Sequence, residues 1–346
     1  MKYRIFPNTN IKVSEVGFGL WTISTGWWGQ YTDAQAVELM HKALDLGITL
    51  YDAADTYGNG RSEKLIAQAF KSKRDKIVIA TKVGYDFYHH DGERKGQREI
   101  AQDFSPKFIK FAIDEALKRL ETDVIDILQL HNIRMDQVDD DALWETMEQI
   151  KASGKIRSFG IALGPAIGWL YEGKRCAEKR APHVIQHIYN LFEQHPGRDI
   201  LDATSGQQTR SLIRVPHSSG MLEGKYTEET VFPPGDHRSH RPRSWLINGI
   251  KKIKTLEFLK WEGKRTLGQA ALQWLLADDR IGSVLPNIYD AGQLAEFASA
   301  PDSPPLSSEE LEKCAELYSK NFGVENDDPP KFKGTMTLAA AVAAAE

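Results

Sequence analysis

The strongest constraint in this chain is a rhythm. Eight short apolar runs, most of them rich in Val and Ile, recur along it: "VGFGL" from Val16, "ITLYDA" from Ile48, "IVIATK" from Ile77, "IDILQLH" from Ile125, "IRSFGIA" from Ile156, "VIQHIYN" from Val184, "SLIRVP" from Ser211 and "SVLPN" from Ser283. Longer stretches of helical period separate them, among them "DAQAVELMHKALDLG", "SPKFIKFAIDEALKRLE" and "DDALWETMEQIKASG". In the second of these, Phe108, Ile109, Ala112, Ala116, Leu117 and Leu120 fall on one helical face. Ser105 and Pro106 make an N-cap followed by an N1 proline, and Gly47 and Gly154 fit helix ends. Strands separated by helices pair in parallel, and eight such units close a ring. The expected fold is therefore α/β, a (β/α)8 TIM barrel. The opening "KYRIFPNTNIKVSEV" reads as a β-hairpin ahead of the barrel, and a long loop, roughly 226–244, follows the seventh run. No repeat or linker divides the chain, so residues 1–322 are expected to form one domain and 323–346 a C-terminal tail. The tail's end, "TLAAAVAAAE", is low-complexity and takes no part in the functional reading.

Composition narrows the class. The chain has 346 residues, 41% apolar and 27% charged, which suits a packed soluble core. A net charge of -4 gives no support to nucleic-acid binding. The two cysteines, Cys176 and Cys314, are far apart and in no ligand spacing, which favours a reducing compartment over a disulfide scaffold. With no apolar signal core at the start and no run near ~18 apolar residues, a cytoplasmic protein without a membrane partner is expected. Oligomeric state is not legible.

Barrels of this kind place their chemistry at the C-terminal ends of the strands. Asp52 ends the second run, and Tyr57 lies just beyond it in "YDAADTYGNGRSE"; Lys82 ends the third run and His131 the fourth. A buried aspartate is costly unless a cation meets it, and Lys82 is the natural partner for Asp52. Taken singly, such residues are more often a cap, packing, a solvated lysine and a satisfied histidine. Their joint placement on three adjacent strands points to a site.

These motifs, with "IVIATKVG", "IDILQLHN", "GMLEGKY" and the stretch from "GQAALQWLL" to "SVLP", resemble the aldo-keto reductase family along nearly the whole chain to about Phe322. The resemblance implies a catalytic tetrad of Asp52, Tyr57, Lys82 and His131 and an NAD(P)(H)-dependent interconversion of carbonyl and alcohol. In that chemistry a tyrosine is the proton donor. A free phenol titrates near ~10, so a neighbouring ammonium that favours the phenolate brings it closer to a working acid–base group. His131 would hydrogen-bond the carbonyl oxygen. No metal is needed.

The cofactor side departs from the family pattern. Ala162 and Leu163 stand where a Ser-Asn pair usually grips the nicotinamide amide. Gln186 matches the family's glutamine to that amide, and Arg214 takes the place of a stacking aromatic ring. The resemblance also implies cofactor contacts from Trp21, Pro216, Ser218, Gly220, Leu222, Arg241, Asn287, Tyr289 and Gln293. Asn287, Tyr289 and Gln293 give no evident clamp for a 2′-phosphate, so NADP(H) is favoured only slightly over NAD(H). The "HRSHRPR" cluster, His237 to Arg243, reads as a solvated basic loop or one folding over the pyrophosphate; zinc is a poor fit because arginines intervene.

Aromatic side chains flank the expected mouth. Trp21, Trp27, Trp28, Tyr85 and Tyr88, with His131, are the expected substrate contacts. His89, His90, Asp91 and Arg94 nearby tilt the reading toward a polyhydroxylated carbonyl or sugar. Two other readings stay open: a cofactor-bound accessory protein, as among potassium-channel beta subunits, and a sugar-modifying enzyme using transient redox with no net cofactor turnover.

Overall fold

Asn8 and Asn10 adopt left-handed backbone and turn the chain between β1 (Tyr3–Phe6) and β2 (Ile11–Ser14), the antiparallel hairpin expected at the start. The computed structural model describes residues 1–89, 100–164, 169–325 and 327. The expected contacts His90, Asp91 and Arg94, and most of the C-terminal tail, lie outside the described residues.

Eight parallel strands follow in ring order: β3 (Phe18–Gly19), β4 (Leu50–Asp52), β5 (Val78–Val83), β6 (Ile125–His131), β7 (Ile156–Ala162), β8 (Val184–Ile188), β9 (Arg210–Arg214) and β10 (Ile281–Leu285). The ring is joined by a parallel bridge between Val16 and Val284, in which Gly17 N donates to Val284 O at 2.9 Å and Val284 N to Glu15 O at 2.9 Å. Among the described residues twelve α-helices accompany the strands: α1 (Trp21–Thr25), α2 (Asp33–Asp45), α3 (Arg61–Phe70), α4 (Pro106–Leu120), α5 (Met135–Asp139), α6 (Asp141–Ala152), α7 (Leu170–Arg180), α8 (Gly197–Ala203), α9 (Arg243–Thr255), α10 (Leu267–Leu276), α11 (Ala291–Ala298) and α12 (Ser308–Ser319).

The expected runs and the observed strands coincide most closely for β6 and β7. The run "SLIRVP" stops one strand residue earlier than its apolar pattern, at Arg214, because Val215 turns left-handed at φ 56°. Helix α4 starts as read, with the Ser105 hydroxyl accepting from Phe108 N.

Two apolar layers hold the ring. Outside, β-strand and helix side chains such as Tyr51, Ile79, Leu128, Ile161 and Ile213 pack against Met40, Ile66, Ile113 and Leu272. Inside, Leu50, Val78, Ile127, Val184 and Leu212 fill the barrel, and Phe6, Ile11 and Val13 of the hairpin cap its N-terminal end. A Cβ at Gly282 would run into the Phe6 ring, so the plug needs a glycine there. The interior is thus closed at one end, and functional space is left at the other. The packed chain runs slightly past residue 322: Phe322 is buried, and Lys252 Nζ reaches Asp327 Oδ2 at 2.5 Å.

Candidate active site

The stretch after β4 is built by backbone conformation. Gly58, Asn59 and Gly60 are all left-handed, at φ 63°, 51° and 88°. Gly60 N donates to Asp55 O at 2.6 Å and Ser62 Oγ to Ala54 O at 2.8 Å, folding the turn back onto the strand end. This directs Tyr57 into the mouth, where it is 8% exposed.

Asp52, Lys82 and His131 meet it from three neighbouring strands. Lys82 Nζ donates to Asp52 Oδ2 at 2.7 Å and to Ala53 O at 2.7 Å. It also lies 4.8 Å from the centroid of the Tyr57 ring. Burial draws the Lys82 ammonium toward neutrality, but Asp52 and Tyr57 outweigh this and its pKa is raised overall. Lys82 is therefore a charged, dry, fixed cation beneath a phenol. The His131 ring stands edge-on to Tyr57 at 6.0 Å and to Tyr85 at 5.0 Å between centroids.

Two glutamines complete the floor. Gln129 and Gln186 donate to Asp52 Oδ1 at 3.1 Å and 2.9 Å, so the carboxylate is held from both sides. Gln186 reaches the cleft as expected, but its amide nitrogen serves Asp52. Gln129 was not among the expected residues. It precedes His131 by two on the same strand, and that spacing puts both on one face.

Behind the floor lies a second ionic group. Glu63 is fully buried and accepts from Thr81 Oγ1 and Arg119 Nε, both at 2.6 Å. Asp55 sits beside it, and burial and then Glu63 push its carboxyl well above the usual range. The two carboxylates of "YDAADTYGNGRSE" thus differ: Asp52 is paired with Lys82, and Asp55 is buried beside Glu63 with its pKa raised.

One cleft joins the tetrad to the rest. Its lining includes Trp21, Trp27, Trp28, Asp52, Tyr57, Tyr85, His131, Gln186, Arg214, Ser219, His237 and Asn287. The expected contacts Trp21, Trp27, Trp28, Tyr85 and His131 are all there. Tyr88 is not: its hydroxyl accepts from Arg119 Nη2 at 2.9 Å, and its ring packs on Phe87, Phe108 and Phe111. The aromatic pattern flagged Tyr88, but the half-buried Arg119 draws it away from the mouth. Asn132, which donates to the Tyr85 hydroxyl at 2.7 Å, lines the cleft and was not expected to.

The chain after β9 forms a series of tight turns. Val215, Ser218, Ser219 and Gly220 are left-handed. Pro216, Ser218 and Gly220 lie in these turns, whereas the Leu222 side chain is buried in the core with Leu256 and Leu267. The long loop folds back over this segment. Arg241 Nη2 donates to Ser219 Oγ at 3.3 Å, and His237 N donates to Trp27 O at 2.8 Å. The His237 ring stacks on Trp27, and burial and then His240 bring its pKa down to about 4. Of the readings left open for the basic cluster, the fold-over is the one this geometry favours.

Past β10, Asn287 Oδ1 accepts from Thr22 Oγ1 at 3.2 Å. The Tyr289 hydroxyl donates to Glu223 Oε2 at 2.9 Å, and Gln293 is buried with Oε1 accepting from Tyr289 N at 3.0 Å. Gln293 thus braces this turn from within. Glu223, also unexpected, brings a carboxylate to this end of the site.

The arrangement can hold a carbonyl oxygen between a phenol and an imidazole, with a fixed cation behind the phenol. The chain as a whole is similar to known proteins. The chain is 33% identical over 303 residues to the aldo-keto reductase YhdN of Bacillus subtilis, covering 85% of this chain and 87% of that protein. It is 28% identical to L-glyceraldehyde 3-phosphate reductase of Escherichia coli K12, covering 85% and 88%. The structure of the glycerol dehydrogenase AKR11B4 from Gluconobacter oxydans superposes with a TM-score of 0.79 at 26% identity, covering 96% of this chain and 99% of that one. A model of the aldo/keto reductase family matches residues 15–319, so the chain belongs to that family.

Proposed function

We propose that this protein is an NAD(P)(H)-dependent oxidoreductase that interconverts a small aldehyde or ketone, a hydroxylated or sugar carbonyl included, with its alcohol. The observation that carries the reading is the buried Lys82–Asp52 pair placed 4.8 Å from the Tyr57 ring at the floor of a cleft shared with His131. When bound, the nicotinamide supplies a hydride from C4. Tyr57 donates the proton to the oxygen on which negative charge develops. Lys82 stabilises the phenolate left behind, and Asp52, gripped by Gln129 and Gln186, keeps Lys82 in place. His131 donates to or orients the same oxygen.

The residues fit a dinucleotide. The cleft continues from Tyr57 past Gln186 and Arg214 to Ser219 and Asn287. Arg214 Nε and Asn132 Oδ1 are buried without partners, as expected of groups a bound molecule would satisfy. Arg241 and the turns after β9 supply a cation and backbone N–H groups for a pyrophosphate. Beyond Asn287 the chain offers Tyr289, hydrogen-bonded to Glu223, with Lys225 3.5 Å from that carboxylate, a mixed set that supports weak discrimination with NADP(H) slightly favoured. A reducing compartment such as the cytoplasm suits two buried free cysteines, Cys176 and Cys314.

The test is oxidation of NADPH or NADH by the purified protein with a panel of small aldehydes and hydroxy-aldehydes. Turnover with at least one carbonyl is expected. Retained nucleotide with no turnover across the panel would favour an accessory or transient-redox role instead.

A further inference from the structure

Arg214 ends β9 inside the cleft, and its guanidinium is fixed. Nη2 donates to Leu163 O at 2.7 Å and also to Gly164 O. Two carbonyls on one nitrogen leave little freedom to swing away. Its Nε is shut off from solvent without a partner. Among the described residues no carboxylate pairs with it. Asp52 is the one acid lining the cleft, and Asp52 is already matched by Lys82. The cleft therefore carries an excess positive charge, and that charge is Arg214.

A half-buried cation with no counterion is expensive unless a ligand compensates it. The two forms of a nicotinamide differ in just this respect: the oxidised ring is cationic and the reduced ring neutral. We infer that Arg214 makes the site discriminate between the redox states of its cofactor, binding the reduced nucleotide more tightly than the oxidised one. The inference rests on the proposed NAD(P)(H) reading. It needs no stacking geometry, because repulsion between charges acts across the width of the cleft. Like unit charges as far as roughly 10 Å apart at an effective dielectric of ~20 still differ in binding by on the order of tenfold.

The consequence concerns direction. In reduction, the electron pair moves with the hydride to the carbonyl carbon, the proton comes from Tyr57, and the nicotinamide ring becomes positive. Arg214 disfavours that positive ring. It weakens binding of the oxidised nucleotide and, once Tyr57 is reprotonated, draws the equilibrium on the enzyme toward reduced nucleotide and carbonyl by the same factor, relative to solution. Linkage requires the two effects to be equal.

Dissociation constants for the oxidised and reduced nucleotide, measured by fluorescence titration without substrate, test this independently of catalysis. The parent should bind the reduced form at least ~10-fold more tightly, and Arg214→Gln should shrink that ratio by about tenfold. Arg214→Lys, which keeps the charge, should retain most of the ratio. A ratio unchanged in Arg214→Gln, or equal weakening of both forms, overturns the inference and leaves only a structural role for Arg214. Should the parent bind neither nucleotide, the proposed function itself fails and this inference with it.

Discussion

Asp52→Asn asks whether the buried ion pair holds the site together. Lys82 is 0% exposed and Asp52 4%. The ammonium has Asp52 Oδ2 and Ala53 O as partners, each at 2.7 Å, and Asp52 Oδ1 takes the two glutamines. Asparagine keeps the shape and one acceptor but removes the charge. The ammonium would then sit in a dry site facing neutral oxygens, and breaking such a pair from one side costs about 3–5 kcal/mol.

That cost has a pH signature. In the parent, burial lowers the Lys82 pKa, but Asp52 and Tyr57 outweigh it and the net shift is upward from 10.5. Without Asp52 the effect of burial leads, and the folded value falls below the unfolded one. The unfolded chain then binds more protons, so the variant gains stability as pH rises. Urea unfolding of the nucleotide-free protein at about pH 7 and pH 9 measures both effects. The variant should lose several kcal/mol at the lower pH and recover part of it, relative to the parent, at the higher. Asp52→Leu combined with Lys82→Met removes both charges and should restore most of the loss. An Asp52→Asn protein within about 1 kcal/mol of the parent at neutral pH, or one whose deficit grows with pH, refutes the reasoning.

Tyr57→Phe keeps the ring and should leave folding and nucleotide binding intact while turnover falls by roughly 10²-fold or more; near-normal kcat would remove Tyr57 from the proton-donor role. Acid should weaken the fold through two buried histidines. Burial brings both His187 and His217 from 6.5 down to about 4, so the unfolded state binds more protons between those values. Stability should fall as pH drops from about 6.5 to about 4, by on the order of 2–3 kcal/mol for each histidine. A flat urea midpoint across that range would contradict this. For the nucleotide, the kcat/KM ratio of NADPH to NADH should lie within about 30-fold either way, and Asn287→Lys should move it toward NADPH. A parent preference above about 10³-fold would defeat the expectation, and Arg241→Gln would show whether the loop is responsible.

The legible parts of this molecule share one property: each depends on residues close together in the chain. Alternating apolar runs gave eight strands because a buried parallel strand leaves a continuous hydrophobic signature. Asp52, Tyr57, Lys82 and His131 could be placed because each ends or follows such a run, and the barrel's rule of one functional end does the rest. The sequence says less where distant segments compete for a side chain. Tyr88 looked like a mouth residue until Arg119, 31 positions on, took its hydroxyl. Gln186 lines the cleft as expected, while Asp52, 134 positions away, takes its amide nitrogen. Leu222 lies in the expected turn, but α9 and α10 bury its side chain.

The same logic explains the adenosine end. Sequence position suggested an absence there: no lysine or arginine just after β10. The fold supplies a presence instead, the Glu223 carboxylate, its side chain 3% exposed, which receives the Tyr289 hydroxyl. Those residues are 66 positions apart, and only closure of β9 against β10 brings them together. Burial leads in raising the Glu223 pKa, while Tyr289 and Lys225 favour its charged form. A carboxylate here opposes a 2′-phosphate and can accept from a ribose hydroxyl, whereas Lys225, 3.5 Å away, pulls the other way. Opposed charges this close cancel most of each other's effect on a third group. Weak cofactor discrimination is therefore the outcome expected of this pair of charges, and the NADPH-to-NADH ratio of kcat/KM checks it.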